Sequence, residues 1–333
     1  MPSSIPADCS RPVDSELNAF LATVADGSTV NFQPGKCYAQ MGPVTLKGRK
    51  HLTIDGRGAT LRSWAPNDNS KFVPQWAVIR SQNLALHDFR IVGNFDDPGP
   101  PNAARASVTT NAGVAVEGST GIALTDLTIL NVFGDGVLLE NSAHHDTEPA
   151  EYPSNVRVTR IRVDRAARHC FGASQGTGLW LQDSTLNNCY LDGIDIEKDV
   201  VDEPIGDIHI LNNRISNYFA IGVVVAIGGP RENPVRGITI RGNHFPTLAL
   251  ATVCDQPIVV GIYPNQYFSD IQIENNQMVS WRVAIEVVRV LDGSIRNNRI
   301  THPPEARPNN CEPEHEENVV RNDSPNLAVS HNG

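Results

Sequence analysis

One pattern recurs along this chain and rules out most folds: a short run of alternating apolar and polar residues, returned to every 23 to 38 residues. It reads Asn83-Leu-Ala-Leu-His-Asp-Phe-Arg-Ile91, then Gly121-Ile-Ala-Leu-Thr-Asp-Leu-Thr-Ile129, then Asn155-Val-Arg-Val-Thr-Arg-Ile-Arg-Val163. Asp207-Ile-His-Ile210, Gly237-Ile-Thr-Ile240 and Asp270-Ile-Gln-Ile273 continue it, and Gly293-Ser-Ile-Arg296 closes it. Strict alternation turns one face of a strand inward, so no segment can bury its apolar side chains alone. The leading positions Leu84, Ile122, Val156, Leu179, Ile208, Ile238 and Ile271 therefore mark successive turns of a solenoid, whose core grows by stacking repeats. Loops of varying length absorb the uneven spacing.

The fold expected from this is all-β, a single-stranded right-handed parallel β-helix with an N-terminal capping helix. Asparagines follow the repeated strands in register at Asn188, Asn213, Asn243, Asn276 and Asn298. Asn tolerates the left-handed backbone of a sharp corner, and stacked side-chain amides can bond into a ladder. Asp14-Ser15-Glu16 can cap a short helix carrying Leu17, Phe20, Leu21 and Val24 on one face. The expected division is residues 1–29 as N-terminal segment and capping helix, 30–301 as β-helix, and 302–333 as an irregular tail rich in Pro, Asn and Glu.

Charge narrows the partners. The net charge of −10 argues against nucleic acid, whose phosphates demand a basic face. No apolar run reaches the length of a membrane span, so no membrane partner is expected. Six cysteines, at 9, 37, 170, 189, 254 and 311, show no zinc-like spacing. Their even number suits disulfides and a secreted, oxidising setting. Cys170 and Cys189, 19 residues apart, can stack and bond. Cys9 with Cys37 can pin the capping helix to the first strand, and Cys254 with Cys311 can pin the tail. The sequence opens on Met1 and polar residues, with no signal peptide, as in a mature secreted form.

A filled β-helix has no internal pocket, so chemistry must sit on an outer face. The richest run is Tyr190-Leu-Asp-Gly-Ile-Asp-Ile-Glu-Lys-Asp199. With Ile194 and Ile196 inward, Asp195 and Glu197 project outward, Asp192 stands at the corner before them, and Asp199 continues the same parity. Crowded carboxyls raise one another's pKa, so that one stays protonated while another is ionised. The preceding turn brings Arg168 and His169 to the equivalent corner, followed by Gln175. The turn before that offers Asp135 and an outward Glu140. Stacking predicts Asp135, His169 and Asp192 in one vertical line. Arg168, Glu140, Gln175 and the ring of Tyr190 are candidates for holding substrate, with Tyr218 and Trp180 as further flat surfaces for sugar rings.

The opening segments Asp26 to Tyr38 and His51 to Leu61 resemble the start of pectin-lyase-like β-helix proteins, and the repeats from about Val30 to Thr301 extend that resemblance over most of the chain. The resemblance implies a polysaccharide or oligosaccharide as partner. Leu191-Asp-Gly-Ile-Asp195 further resembles the Asp-Gly-X-Asp stretch of β-helical polygalacturonases, which implies a catalytic role for Asp192. The Gly-His-Gly and Arg-Ile-Lys elements of that family are missing. The leading expectation is an extracellular glycoside hydrolase in which Asp192 and Asp195 serve as acid and base with His169 and Asp135 assisting. Such an enzyme needs no cofactor. A second is a polysaccharide lyase or uronate C5-epimerase, with Ca²⁺ on Glu197 and Asp199 and Arg168 or His169 as base. A third is a non-catalytic carbohydrate-binding solenoid.

Overall fold

The computed structural model describes residues 1–65, 73–95, 111–144, 148–198, 203–226, 228–247, 256–261, 265–280, 283–303, 319–324, 326 and 327–332. Its strands pair in parallel from turn to turn, forming a right-handed parallel β-helix with three faces. Two faces merge into one large sheet, and ten strands make the third. The positions read as leading the repeats are in register, Val156 beside Leu179, then Ile208, Ile238 and Ile271. All five are buried. On the third face Val114, Val137, Phe171, Ile194, Val223, Ile258 and Ile285 stack inward in the same way. Alternation has placed one apolar column per strand position along the whole axis.

The asparagine ladder runs between the first two faces. Each Oδ1 of Asn243, Asn276 and Asn298 accepts the backbone N–H and the side-chain amide of the Asn one turn before it. Each Nδ2 also donates to a backbone carbonyl, as Asn243 does to Ile210. Two details differ from the expectation. The left-handed backbone belongs to the residue just before each rung, at Asn212, Gly242, Asn275 and Asn297. Asn188 is itself left-handed and stands outside the ladder, donating to Asp164 instead.

The helix Asp14–Thr23 buries Leu17 and Leu21 against the first turn. Val13, not Asp14, holds its N-cap position, and Asp14 accepts the N–H of Met41. Asn18 donates to the Pro43 carbonyl and accepts the Thr45 N–H, so the helix satisfies the open edge of the third face as well as covering the core. The N-terminal segment also supplies a strand, Asp8–Pro12, beside Cys37–Gln40. The Cys9–Cys37 disulfide ties these strands, and so holds the segment before the helix and not the helix itself.

The tail is a second correction. Val319–Asn322 and Leu327–Ser330 extend the solenoid, pairing with Ile285–Val288 and Gly293–Arg296. Asn332 continues the ladder by accepting from Asn298. Polar composition hid a last turn that only strand pairing reveals. Cys254 and Cys311 lie outside the described residues.

Candidate functional site

The corner between the second and third faces carries a vertical line of three polar side chains. Asp135 opens the strand Asp135–Glu140, and register places His169 and Asp192 above it on the next two turns. Each side chain accepts the backbone N–H of the following turn. Asp135 Oδ1 accepts from His169 at 3.0 Å, His169 Nδ1 from Asp192 at 3.3 Å, and Asp192 Oδ1 from Ile221 at 2.9 Å. The line expected from stacking is present, and its hydrogen bonds hold the corner together.

Asp195, outward on the strand Ile194–Ile196, completes the cluster. Its Oδ2 lies 3.2 Å from His169 Nε2, while Asp192 Oδ2 lies 3.4 Å from Nδ1. The imidazole thus stands between two carboxyls. Arg168 reaches from the same turn to Asp135 Oδ2 at 3.2 Å and to Asp195 Oδ2 at 3.9 Å. Gly172 sits in register beside Asp195, where a Cβ would come within 3.0 Å of Asp135 Oδ2. The missing side chain leaves room for Asp135 behind the strand. That role went unread in the sequence, where a strand glycine one turn before an outward acid was its only sign.

Burial sets the charges. Asp192 and Asp195 side chains are 11% and 8% exposed, and His169 only 2%. Desolvation pushes Asp135 up to about 6 and Asp192 up to about 7, with the cation of Arg168 pulling both back. Asp195 is held well above the usual carboxylate range by burial and by Asp192 and Glu197 beside it. Burial, reinforced by Arg168, keeps His169 well below its ordinary value and therefore neutral. Burial opposes the charge of Arg168, yet Asp135, Asp195, Glu197 and Asp192 together raise its pKa. The cluster holds more carboxyls than it can ionise together, so protons remain on it near neutral pH.

The other expected site residues divide. Glu197 follows Asp195 at the end of the strand, half-buried. Asp199 lies outside the described residues. Among the described residues no three metal-ligating side chains are grouped to hold an ion. Glu140 ends the strand that Asp135 begins, roughly 17 Å away, and pairs in register with buried Glu117. Gln175 is fully buried, accepting from Asn141 N–H and donating to Glu203. Neither joins the cluster, because both occupy the far edge of the third face.

Tyr190 is a correction. Its ring is fully buried in a small cluster apart from the main core, packed edge-on to Phe95 at 4.8 Å beside Ala167, and offers no sugar platform. Tyr218 is buried as well. Trp180 faces outward on the first face, but Arg157 covers one side of its ring and His209 stacks 4.8 Å away in register.

No family model matches the sequence, and no curated protein matches it. Solved structures match by shape. The endo-xylogalacturonan hydrolase of Aspergillus tubingensis superposes with a TM-score of 0.67 at 11% identity, over 98% of this chain and 92% of its own. The Streptococcus pneumoniae surface protein and adhesin PfbA gives 0.65 at 13% identity, over 99% of this chain and 95% of its own. The catalytic unit of a GH87 α-1,3-glucanase from Streptomyces thermodiastaticus gives 0.54 at 15% identity, over all of this chain and 69% of its own. The chain shares the parallel β-helix fold with all three. Hydrolases and an adhesin alike carry that fold.

Proposed function

We propose that this chain is a secreted carbohydrate-active enzyme, a glycoside hydrolase whose acid and base are Asp195 and Asp192. The observation that carries the reading is the neutral His169 held between these two carboxyls beside Arg168. Asp195, held well above the usual carboxylate range, donates its proton to the departing glycosidic oxygen. Asp192, near 7, ionises first and takes a proton from the water that attacks the anomeric carbon. The C–O bond to the leaving sugar breaks as the bond to water oxygen forms, and the two carboxyls end with their protonation exchanged. His169 donates Nε2–H to Asp195 and accepts the backbone N–H of Asp192, and Arg168 offsets the negative charge as it moves between the carboxyls. Asp135, only 1% exposed, positions Arg168 and the His169 backbone from behind. The two disulfides among the described residues suit an oxidising compartment, and no described helix is long and apolar enough to cross a membrane.

A panel of neutral and uronic-acid polysaccharides, followed at once for reducing ends and for unsaturated products, tests the reaction class. Reducing ends without the unsaturated chromophore, abolished in Asp195→Asn, are the expected result. A chromophore lost on adding chelator would replace the hydrolase with a Ca²⁺-dependent lyase. Binding without either product would leave a glycan-binding solenoid.

A further inference from the structure

The second face of the solenoid is charged unlike the chain as a whole. Pairing sets one outward column along it, which reads Arg90, Thr128, Arg162, Thr185, Arg214, His244, Gln277 and Arg299 from turn to turn. Arg62 stands in the column beside it. The arginines, His244 and Gln277 are exposed, and the two threonines are half-buried. Among the described residues of these strands Asp164 is the one acid that points outward, so the face is basic in a chain whose net charge is −10. Of the five arginines Arg162 alone meets a carboxylate among the described residues, its Nη2 2.9 Å from Asp164. An exposed pair of this kind is weak, and the guanidinium keeps further donors. Arg214 Nη1 lies 3.1 Å from His244 Nδ1, and burial together with Arg214 holds that imidazole below its ordinary value, so it accepts from the guanidinium. The column thus carries fixed positive charge at Arg90, Arg162, Arg214 and Arg299. The first three are two turns apart, about 10 Å, and the whole row is about 34 Å long.

We propose that this face is a binding surface for a uronate-bearing polysaccharide lying along the solenoid axis, separate from the carboxyls of the corner. The inference goes beyond the hydrolase reading and does not require it. A row of cations with so little local compensation raises the potential that draws in an anionic chain. The guanidinium fork matches a carboxylate in two hydrogen bonds. A sugar ring is about as long as one turn is thick. Carboxylates on alternate sugars of an extended chain therefore meet arginines on alternate turns, and ring hydroxyls between them meet Thr128, Thr185 and Gln277. No Phe, Tyr or Trp points outward from the described residues of these strands, so the face lacks the stacking platform that single-stranded nucleic acid uses. The second face adjoins the corner that carries Asp135, His169 and Asp192, and a polymer held there stays beside those groups.

The test uses calorimetric titration of Asp195→Asn protein, which cannot turn over, with oligogalacturonates of two to ten units. Neutral gluco-oligosaccharides and a single-stranded DNA of equal charge are the counterparts. Affinity for the oligogalacturonates is expected to rise with length until the chain spans the row, at about seven units. Raising salt from about 50 to about 200 mM should weaken the longest by about tenfold. Arg90→Gln, Arg162→Gln, Arg214→Gln and Arg299→Gln together should weaken it by about tenfold at low salt, and the same four positions changed to Lys should recover the salt-sensitive part. Because all four side chains are exposed, an unchanged melting temperature will show that the fold is intact. Equal affinity with and without the four Gln changes overturns the surface, as does the absence of oligogalacturonate binding at low salt. DNA bound as tightly as the oligogalacturonates overturns the assignment to a glycan. None of these outcomes touches the reading of Asp192 and Asp195, which stands or falls on product formation.

Discussion

The amide of Asp192 donates to Nδ1 of His169 at 3.3 Å, and this bond decides the state of the imidazole. With Nδ1 accepting, the ring hydrogen sits on Nε2 and points at Asp195 Oδ2, 3.2 Å away. The tautomer follows from the backbone of the next turn, so it is built into the stacking of the solenoid. Nitrogen NMR of the native protein should find His169 neutral and Nε2-protonated at pH 6. A doubly protonated ring at that pH would remove the basis for its placement between the carboxyls. His169→Ala should lower kcat by about 10²-fold or more, since Asp195 loses its Nε2–H donor and the Asp192 corner loses the acceptor of its backbone N–H.

Asp192 links activity to stability. Its pKa is raised from the unfolded value of 3.8 to about 7, so the folded state binds the extra proton between those limits. Stability from this group is therefore full below about 4 and is lost as pH rises through 7. Asp192→Asn keeps an oxygen for the Ile221 N–H but has no charge to bury. It should melt higher than the parent above pH 7, by on the order of 1–3 kcal/mol, with the difference vanishing near pH 4. Hydrolysis should be abolished at every pH. A variant less stable than the parent at pH 8 would show that Asp192 is not destabilised by burial.

The pH dependence of kcat/KM should be bell-shaped. Its rising limb lies near 7, where Asp192 ionises, and its falling limb follows Asp195, whose carboxyl burial and neighbouring charges hold well above the usual range. A flat profile from pH 5 to 8 would contradict the assignment of base and acid.

The Cys170–Cys189 disulfide closes a 19-residue loop that begins one residue after His169. Chain entropy assigns such a closure about 3 kcal/mol. Cys170→Ser with Cys189→Ser should lower the melting temperature and cut kcat, because the bridge also fixes the corner that carries His169 and Asp192. Loss of stability with full kcat would show that the bridge serves the solenoid alone.

Asn243 tests the ladder. It accepts both the N–H and the side-chain amide of Asn213 and donates to Asn276 and Ile210. Asn243→Ala leaves several buried polar groups without partners and should cost about 2–4 kcal/mol in thermal unfolding. Being far from the corner, it should leave kcat unchanged.

Alternation of period two, repeated at solenoid spacing, was enough to determine the β-helix, the inward columns from Leu84 to Ile271 and the vertical line of Asp135, His169 and Asp192, since stacking in register follows from pairing identical patterns. The Cys170–Cys189 pairing was legible for the same reason. Only the tertiary structure decided what happens at the corners and ends, because alternation assigns a direction inside a strand and says nothing where the strand stops. Tyr190 is covered by Phe95, which comes from a turn nearly a hundred residues earlier, in a cluster apart from the main core. Gln175 is taken by Asn141 and Glu203, and the last turn joins through pairings that its polar composition conceals. Trp64 stays in solvent. Each of these outcomes depends on which distant segment arrives to cover a side chain, and local sequence carries no record of that.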